Sequence, residues 1–235
     1  MNDKLRPLHD GDFIEIDEAD LLPPAPGATP FAWPSAVQPP GKQAVDIVLL
    51  IDTSGSMGAA DYQPSRLAAA QDAARLFARH KVLQGHRDRV GVIGFGGQPN
   101  TVCPLTDDLD QVTAAVSKLA LTHSGTMIGH ALRAAYAELE RHNSPRQGIV
   151  LLSDGADEYD TSQPEAVAAK HPHIKLFTIG IGTVKGGAAK LPHGTQTVYL
   201  NEKLLQRLAK VAGGDYLYAP DLDELRRVYQ RLADY

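Results

Sequence analysis

A chain of 235 residues, 43% hydrophobic and 22% charged, can bury one sizeable core, which argues against a disordered or fibrous protein and makes one domain with an appendage the natural expectation. The net charge of −5 leaves no basic footprint and so speaks against nucleic acid as a main partner. The single cysteine, Cys103, excludes an intramolecular disulfide and a cysteine-rich zinc site. No stretch reaches the roughly 18 apolar residues needed to cross a bilayer. Met1 to Pro7 also lacks the apolar core of a signal peptide, so the expected location is cytoplasmic.

Residues 1–44 differ from the rest of the chain. They hold eight of the 16 prolines, which remove amide donors and exclude regular helix over most of the segment. Seven acidic residues lie in the first twenty, against Lys4 and Arg6. Only Phe13-Ile14-Glu15-Ile16 alternates enough for a short strand. This is a Pro-rich acidic arm, with Phe31 and Trp33 as apolar anchors over a domain of residues 45–235; a docking arm for a partner is the sharper alternative.

Val45-Asp46-Ile47-Val48-Leu49-Leu50-Ile51 is an apolar run of strand length, and it reads as a strand buried on both faces of a parallel sheet. A ligand is then expected at its carboxyl end, where Asp52-Thr53-Ser54-Gly55-Ser56 offers one charged and two neutral side-chain oxygens. Such an all-oxygen set suits a hard divalent cation. Ser65 can cap a helix whose apolar positions Leu67, Ala70, Ala74, Phe77 and Ala78 recur at helical spacing. Arg89 to Phe95 is the next strand. A turn over Gly96 to Asn100 leads to Thr101 to Leu105; so short a connection permits only an antiparallel neighbour, and Pro104 puts that strand at the edge. On that edge Cys103 reads as a small apolar residue.

Helices are expected over Leu109 to Leu119, started by Asp107 and Asp108, and over Ile128 to His142, with Ile128, Leu132, Ala135 and Leu139 on one face. Gly148 to Ser153 is a second buried strand, ending at Asp154. A short helix near Pro164 to Lys170, a strand from Lys175 to Ile181, a long glycine-rich loop from Gly182 to Gln196, a helix from Asn201 to Ala212, a strand from Asp215 to Ala219 and a closing helix through Leu222, Leu225, Val228, Tyr229 and Leu232 complete the order. The fold class is α/β, Rossmann-like and doubly wound: a mostly parallel six-stranded sheet with one short antiparallel edge strand and helices on both faces.

Three places supply oxygen ligands at strand ends or helix openings: Asp52, Ser54 and Ser56; Thr126 in Thr122-His123-Ser124-Gly125-Thr126; and Asp154 in Ser153-Asp154-Gly155. In this order they resemble the von Willebrand factor type A domain with its metal-ion-dependent adhesion site, over about Val45 to Tyr235. The later sequence, from Phe177 to Gly182 and from Leu204 to Tyr218, resembles bacterial type A proteins linked to MoxR-type AAA+ ATPases and aerotolerance operons. The resemblance implies that all five residues bind Mg²⁺, with Mn²⁺ or Ca²⁺ as substitutes. It further implies that the under-neutralised ion captures a Glu or Asp of a partner protein, so that the metal serves recognition and not turnover.

Other readings compete. A strand ending in an aspartate also opens haloacid-dehalogenase-type phosphatases, but the acid needed two residues on is Ser54 here. There is no phosphate loop, no Gly-x-Gly-x-x-Gly after a strand and no Gly-x-Ser-x-Gly elbow. A structural subunit whose metal only stiffens the loops is the third reading, and simple helix capping by Ser54, Ser56 and Thr126 the plainest. Asp157 and Glu158 read as a solvated loop face, His123 as a loop bystander whose closeness to Thr126 leaves bordering the site as the alternative, and His171 with His173 as a zinc pair without soft neighbours.

Overall fold

The computed structural model describes residues 44–83, 87–156, 163–183 and 185–233. The expected arm, with its Phe13 to Ile16 strand and its anchors Phe31 and Trp33, lies outside the described residues, as do Asp157 and Glu158.

Strands β1 (Val45–Asp52), β2 (Arg89–Phe95), β3 (Pro99–Thr106), β4 (Arg146–Ser153), β5 (Lys175–Ile181) and β8 (Tyr216–Ala219) form one sheet in the order β3-β2-β1-β4-β5-β8. Every neighbouring pair is parallel except β2 with β3. The fold is the α/β arrangement expected, and β3 is the antiparallel edge strand. Pro104, without an amide to give, faces solvent there, while Cys103 is buried opposite Val92. The turn before β3 is shorter than the sequence suggests, because Pro99 and Asn100 already pair with Phe95 and Gly94.

Among the described residues six helices cover the sheet: α1 (Arg66–Leu83), α2 (Leu109–Lys118), α3 (Ile128–Glu140), α4 (Pro164–Ala168), α5 (Glu202–Val211) and α6 (Leu222–Ala233). The continuous apolar run of β1 is explained by this double cover. Ile47, Leu49 and Ile51 point to one face, against Ala70, Ala74 and Phe77 of α1, Val116 of α2 and Tyr229 of α6. Val48 and Leu50 point to the other, against Leu132 and Leu139 of α3, Val167 of α4 and Leu205 of α5. With both faces dry, each fully buried Leu or Ile contributes about 1.5–3 kcal/mol. The helix starts follow local chemistry: Ser65 Oγ accepts from the Ala68 amide at 3.2 Å, and the Asp108 carboxylate accepts from the Asp110 and Gln111 amides at 2.9 and 3.1 Å.

The stretch expected as a loop over Gly182 to Gln196 instead contains a hairpin, β6 (Gly187–Leu191) and β7 (Gly194–Val198). Its strands lack the apolar alternation of a half-buried ribbon, because the buried positions of β6 are the small residues Gly187 and Ala189 and β7 is almost wholly exposed. Small residues are used because β6 lies close to the loop that carries Asp61: the Ala60 amide donates to the Ala188 carbonyl at 3.3 Å.

Sheet order places the reversal of winding at β1 and β4, where a doubly wound sheet leaves a crevice beyond the strand ends. Asp52 ends β1 and Asp154 follows β4, so both carboxylates sit at this crevice.

Candidate functional site

The polypeptide leaves β1 through Asp52, which is 0% exposed, and enters a 3-10 turn over Gly55–Gly58. Thr53 ties this turn to β2, its amide and hydroxyl both donating to the Phe95 carbonyl at 2.6 and 2.9 Å. The Asp52 carboxylate is held on both oxygens: Oδ1 accepts from the Ser54 amide at 2.8 Å and Oδ2 from the Ser153 hydroxyl at 2.6 Å. The Ser54 and Ser56 hydroxyls lie 2.9 Å apart, and Ser56 also hydrogen-bonds the Asp154 carboxyl.

The second loop is drawn in by backbone contacts. The Thr122 amide donates to the Thr53 carbonyl at 2.7 Å, the Met127 amide to the Gly96 carbonyl at 2.9 Å, and the Gly97 amide to Ser124 Oγ at 3.0 Å. A side chain at Gly97 would run into the Ser124 backbone, so glycine is what lets this loop close over the end of β2. Thr126 is thereby buried beside the first turn, just before α3.

Asp154 completes the set. Its Oδ1 accepts from the Ala156 amide at 3.2 Å and its Oδ2 from Arg66 Nη1 at 2.8 Å, a contact between two fully buried side chains. Arg66 is shared: its Nε and Nη2 reach Asp61 at 2.8 and 2.7 Å, and Nη2 also donates to the Val198 carbonyl at 3.1 Å. Asp61 in turn accepts from the Thr183 amide at 3.1 Å. A chain of contacts thus runs from Asp154 to both roots of the β6–β7 hairpin.

All five residues singled out in the sequence therefore meet in one place. Burial and the neighbouring Asp154 push the Asp52 carboxyl up to about 7, against the opposing hydrogen bonds of Ser153 and Ser54. Burial raises Asp154 as well, while Ser56 and Arg66 hold it down. Two buried carboxylates, with one guanidinium on Asp154 that Asp61 also engages and, among the described residues, none on Asp52, make a place where a further positive charge is favoured. The donors are oxygens throughout, and among the described residues no cluster of three or more His, Cys, Asp or Glu side chains forms. This donor set fits Mg²⁺ in type: hard, hydroxyl-rich and weakly charged.

Ser54, Ser56 and Thr126 open onto a cleft of about 540 Å³, whose further walls include His123, Gln196 and Tyr199. His123 thus lines the cleft, where the sequence makes a loop bystander the plainer expectation. His171 lies elsewhere, stacked on Tyr136 at 4.0 Å between ring centroids and paired with Glu140 at 2.9 Å.

Sequence reading missed Arg66, Ser153 and the hairpin wall. Arg66 had a signal: it shares a helical face with the buried Ala69, Ala70 and Ala73, and a cation on an apolar stripe needs a buried partner. Ser153 had only its place before Asp154. The hairpin had none, since Gly-Ala-Ala and Gly-Thr-Gln-Thr carry little periodicity.

Comparison with known proteins gives a consistent picture. Residues 47–156 match the family model described as von Willebrand factor type A domain. A UPF0353 protein of Mycolicibacterium paratuberculosis is 34% identical over 206 residues, which cover 82% of this chain and 61% of that protein. The chain spans only about three fifths of such a relative. Among solved structures, an aerotolerance-related membrane protein from Bacteroides fragilis, with multiple mutations to serines, superposes with a TM-score of 0.69 at 26% identity, covering 81% of this chain and 99% of that one. BatB from Bacteroides thetaiotaomicron gives a TM-score of 0.68 at 26% identity, over 81% and 98% of the two chains. Among the described residues no helix is long and apolar enough to cross a membrane.

Proposed function

We propose, from the match of residues 47–156 to the von Willebrand factor type A domain, that the chain is a protein-binding module working through a divalent cation. Asp52, Ser54, Ser56, Thr126 and Asp154 would hold Mg²⁺, with Mn²⁺ or Ca²⁺ as substitutes. When bound, the cation supplies a positive charge with a coordination position left for an Asp or Glu of the partner. The observation that carries this reading is the convergence, at the sheet's switch point, of two buried carboxylates with three hydroxyl residues that line one open cleft.

The protein's own groups prepare that surface. Ser153 and the Ser54 amide fix both oxygens of Asp52, so the carboxylate cannot rotate away. Arg66 holds one oxygen of Asp154, and Ser56, which lines the cleft, hydrogen-bonds the same carboxyl. The same contacts disfavour the phosphatase alternative: Asp52 is fully buried with each oxygen engaged, a poor arrangement for attack on phosphorus. We therefore propose binding without turnover. We further propose, on the sequence resemblance alone, a role as subunit or adaptor in a MoxR-type ATPase-linked complex. Cell fractionation tests the cytoplasmic location.

Mg²⁺ titration by calorimetry, followed by partner capture with wild type, Asp52→Ala and Asp154→Ala in Mg²⁺ and in chelator, tests the reading. Metal binding and capture should both vanish in the variants while far-UV circular dichroism stays that of the folded domain. Capture that survives in either variant refutes it, and capture that survives chelation of the wild type leaves the metal as a loop stiffener.

A further inference from the structure

Strand β7 is the outer strand of a two-stranded ribbon, and among the described residues it pairs with β6 alone. Within the same bounds, no backbone group of Thr195, Gln196 or Thr197 bonds outside the hairpin. Soluble proteins usually blunt such an edge with lysine, proline or a bulge. Here Gly194-Thr195-Gln196-Thr197-Val198 has none of these, and its β-branched residues favour extended pairing. The edge is not at a remote corner: Gln196, Thr197, Val198 and Tyr199 line the same cleft as Ser54, Ser56 and Thr126.

Two more features fix the chemistry of what would lie there. First, residues 166–201 contain no Asp or Glu in a chain whose net charge is −5, and the hairpin region itself carries the exposed Lys185 and Lys190. An acidic segment is therefore attracted to this wall before any contact with the centre of the site. Second, two of the three large exposed apolar side chains among the described residues lie at or near the site: Tyr199, 58% exposed, lines the cleft on the hairpin side, and Leu121, 40% exposed, packs beside Gly58 of the ligand turn. They offer apolar contact to neighbours of a central carboxylate.

We propose that the partner is an extended acidic segment that adds as a third strand to the open edge of β7, with one of its carboxylates reaching the five-residue oxygen site. Main-chain hydrogen bonds to β7 supply affinity in a way that tolerates many sequences, and the carboxylate and the apolar rim supply selection. The ribbon is anchored through β6 and its roots, where the Ala60 amide donates to the Ala188 carbonyl, Leu191 lies beside Gly55, Arg66 grips the Val198 carbonyl and Asp61 accepts from the Thr183 amide, whereas β7 itself is almost wholly exposed and free to pair. A lone two-stranded ribbon is marginal in water, so a third strand also completes it.

This inference rests on the proposed cation-dependent reading, and the test separates the two. Mg²⁺ binding by the full chain is first measured by calorimetry; failure at that step overturns the reading of the oxygen site itself. Random dodecapeptides displayed on phage are then selected on the full chain in Mg²⁺, and the recovered sequences are resynthesised. The expected outcome is a proline-free, alternating consensus around one Asp or Glu, whose binding is lost in EDTA. In each resynthesised peptide the alternate amides are N-methylated, in one parity and then in the other. Pairing to an edge uses one parity only, so one set should weaken binding by about tenfold or more and the other should leave it nearly unchanged. Equal effects of the two sets, a proline-rich or helical consensus, or no magnesium-dependent acidic binder at all would each overturn strand addition while leaving the measured Mg²⁺ binding in place.

Discussion

Replacing Arg66 by methionine removes the one cation shared by Asp61 and Asp154 while keeping an apolar stem of similar length. Four hydrogen bonds go with it, at 2.7–3.1 Å, and the 0% exposed Asp154 loses its cationic partner. Breaking a buried pair from one side costs about 3–5 kcal/mol, a large part of the roughly 5–15 kcal/mol that holds a typical domain. Urea unfolding in EDTA, followed by circular dichroism, should therefore show a midpoint far below wild type. Arg66→Lys, which keeps the charge but cannot span three acceptors, should fall between the two. Magnesium sharpens the test. At about 100 times its dissociation constant a ligand adds about 2.7 kcal/mol to wild type. In Arg66→Met the cation is the sole counter-charge for Asp154, so its stabilising increment should exceed the wild-type one. A loss below about 1 kcal/mol in EDTA, or equal increments from magnesium, would refute the view that Arg66 balances this carboxylate.

Asp52→Asn should remove magnesium-induced stabilisation yet raise stability in chelator at pH 8 by about 1–2 kcal/mol, because it removes a buried charge that faces Asp154. In chelator the wild-type carboxyl sits at about 7 in the fold against 3.8 outside it, so between these values the folded chain binds more protons than the unfolded one. Wild-type stability should consequently decline as pH rises from about 4 to about 7, and the Asp52→Asn difference should shrink toward zero at the acidic end; a pH-independent difference would contradict this. Gly97→Val should cost about 1–3 kcal/mol and weaken Mg²⁺ binding, measured by calorimetry, because its side chain collides with the Ser124 backbone and pushes the Thr126 loop outward. Tyr229→Phe should be neutral or slightly stabilising in thermal melts, since the buried Tyr229 hydroxyl has no hydrogen-bond partner among the described residues; a loss above about 1 kcal/mol would reveal a partner.

How legible each element was in the sequence depends on how it is stabilised. Strand β1 announces itself because both of its faces are dry, so every residue from Ile47 to Ile51 is apolar. Helix α3 does so because Ile128, Leu132, Ala135 and Leu139 repeat on one buried face. The five oxygen donors were legible because they sit at strand ends and helix openings that such elements predict. Arg66 was harder, since a buried guanidinium is stabilised by partners 5, 88 and 132 residues away, none of which local spacing reveals. The hairpin was illegible for a different reason. Its buried side is built from Gly187 and Ala189, chosen for close approach to the Asp61 loop, and close approach writes no hydrophobic period into the chain.

The position of β1 and β4 within the sheet has one more consequence. Both are flanked by strands on each side and covered by helices above and below, the surroundings from which amide protons exchange last, often only through global opening. The β6–β7 ribbon stands outside that sheet and shares none of its ladders, so its amides should exchange by local opening many times faster. The molecule thus divides into a slow anchor that carries Asp52 and Ser153 and a fast flap that carries Tyr199. The oxygen cluster is rooted in the slow part of the molecule and its outer wall in the fast part.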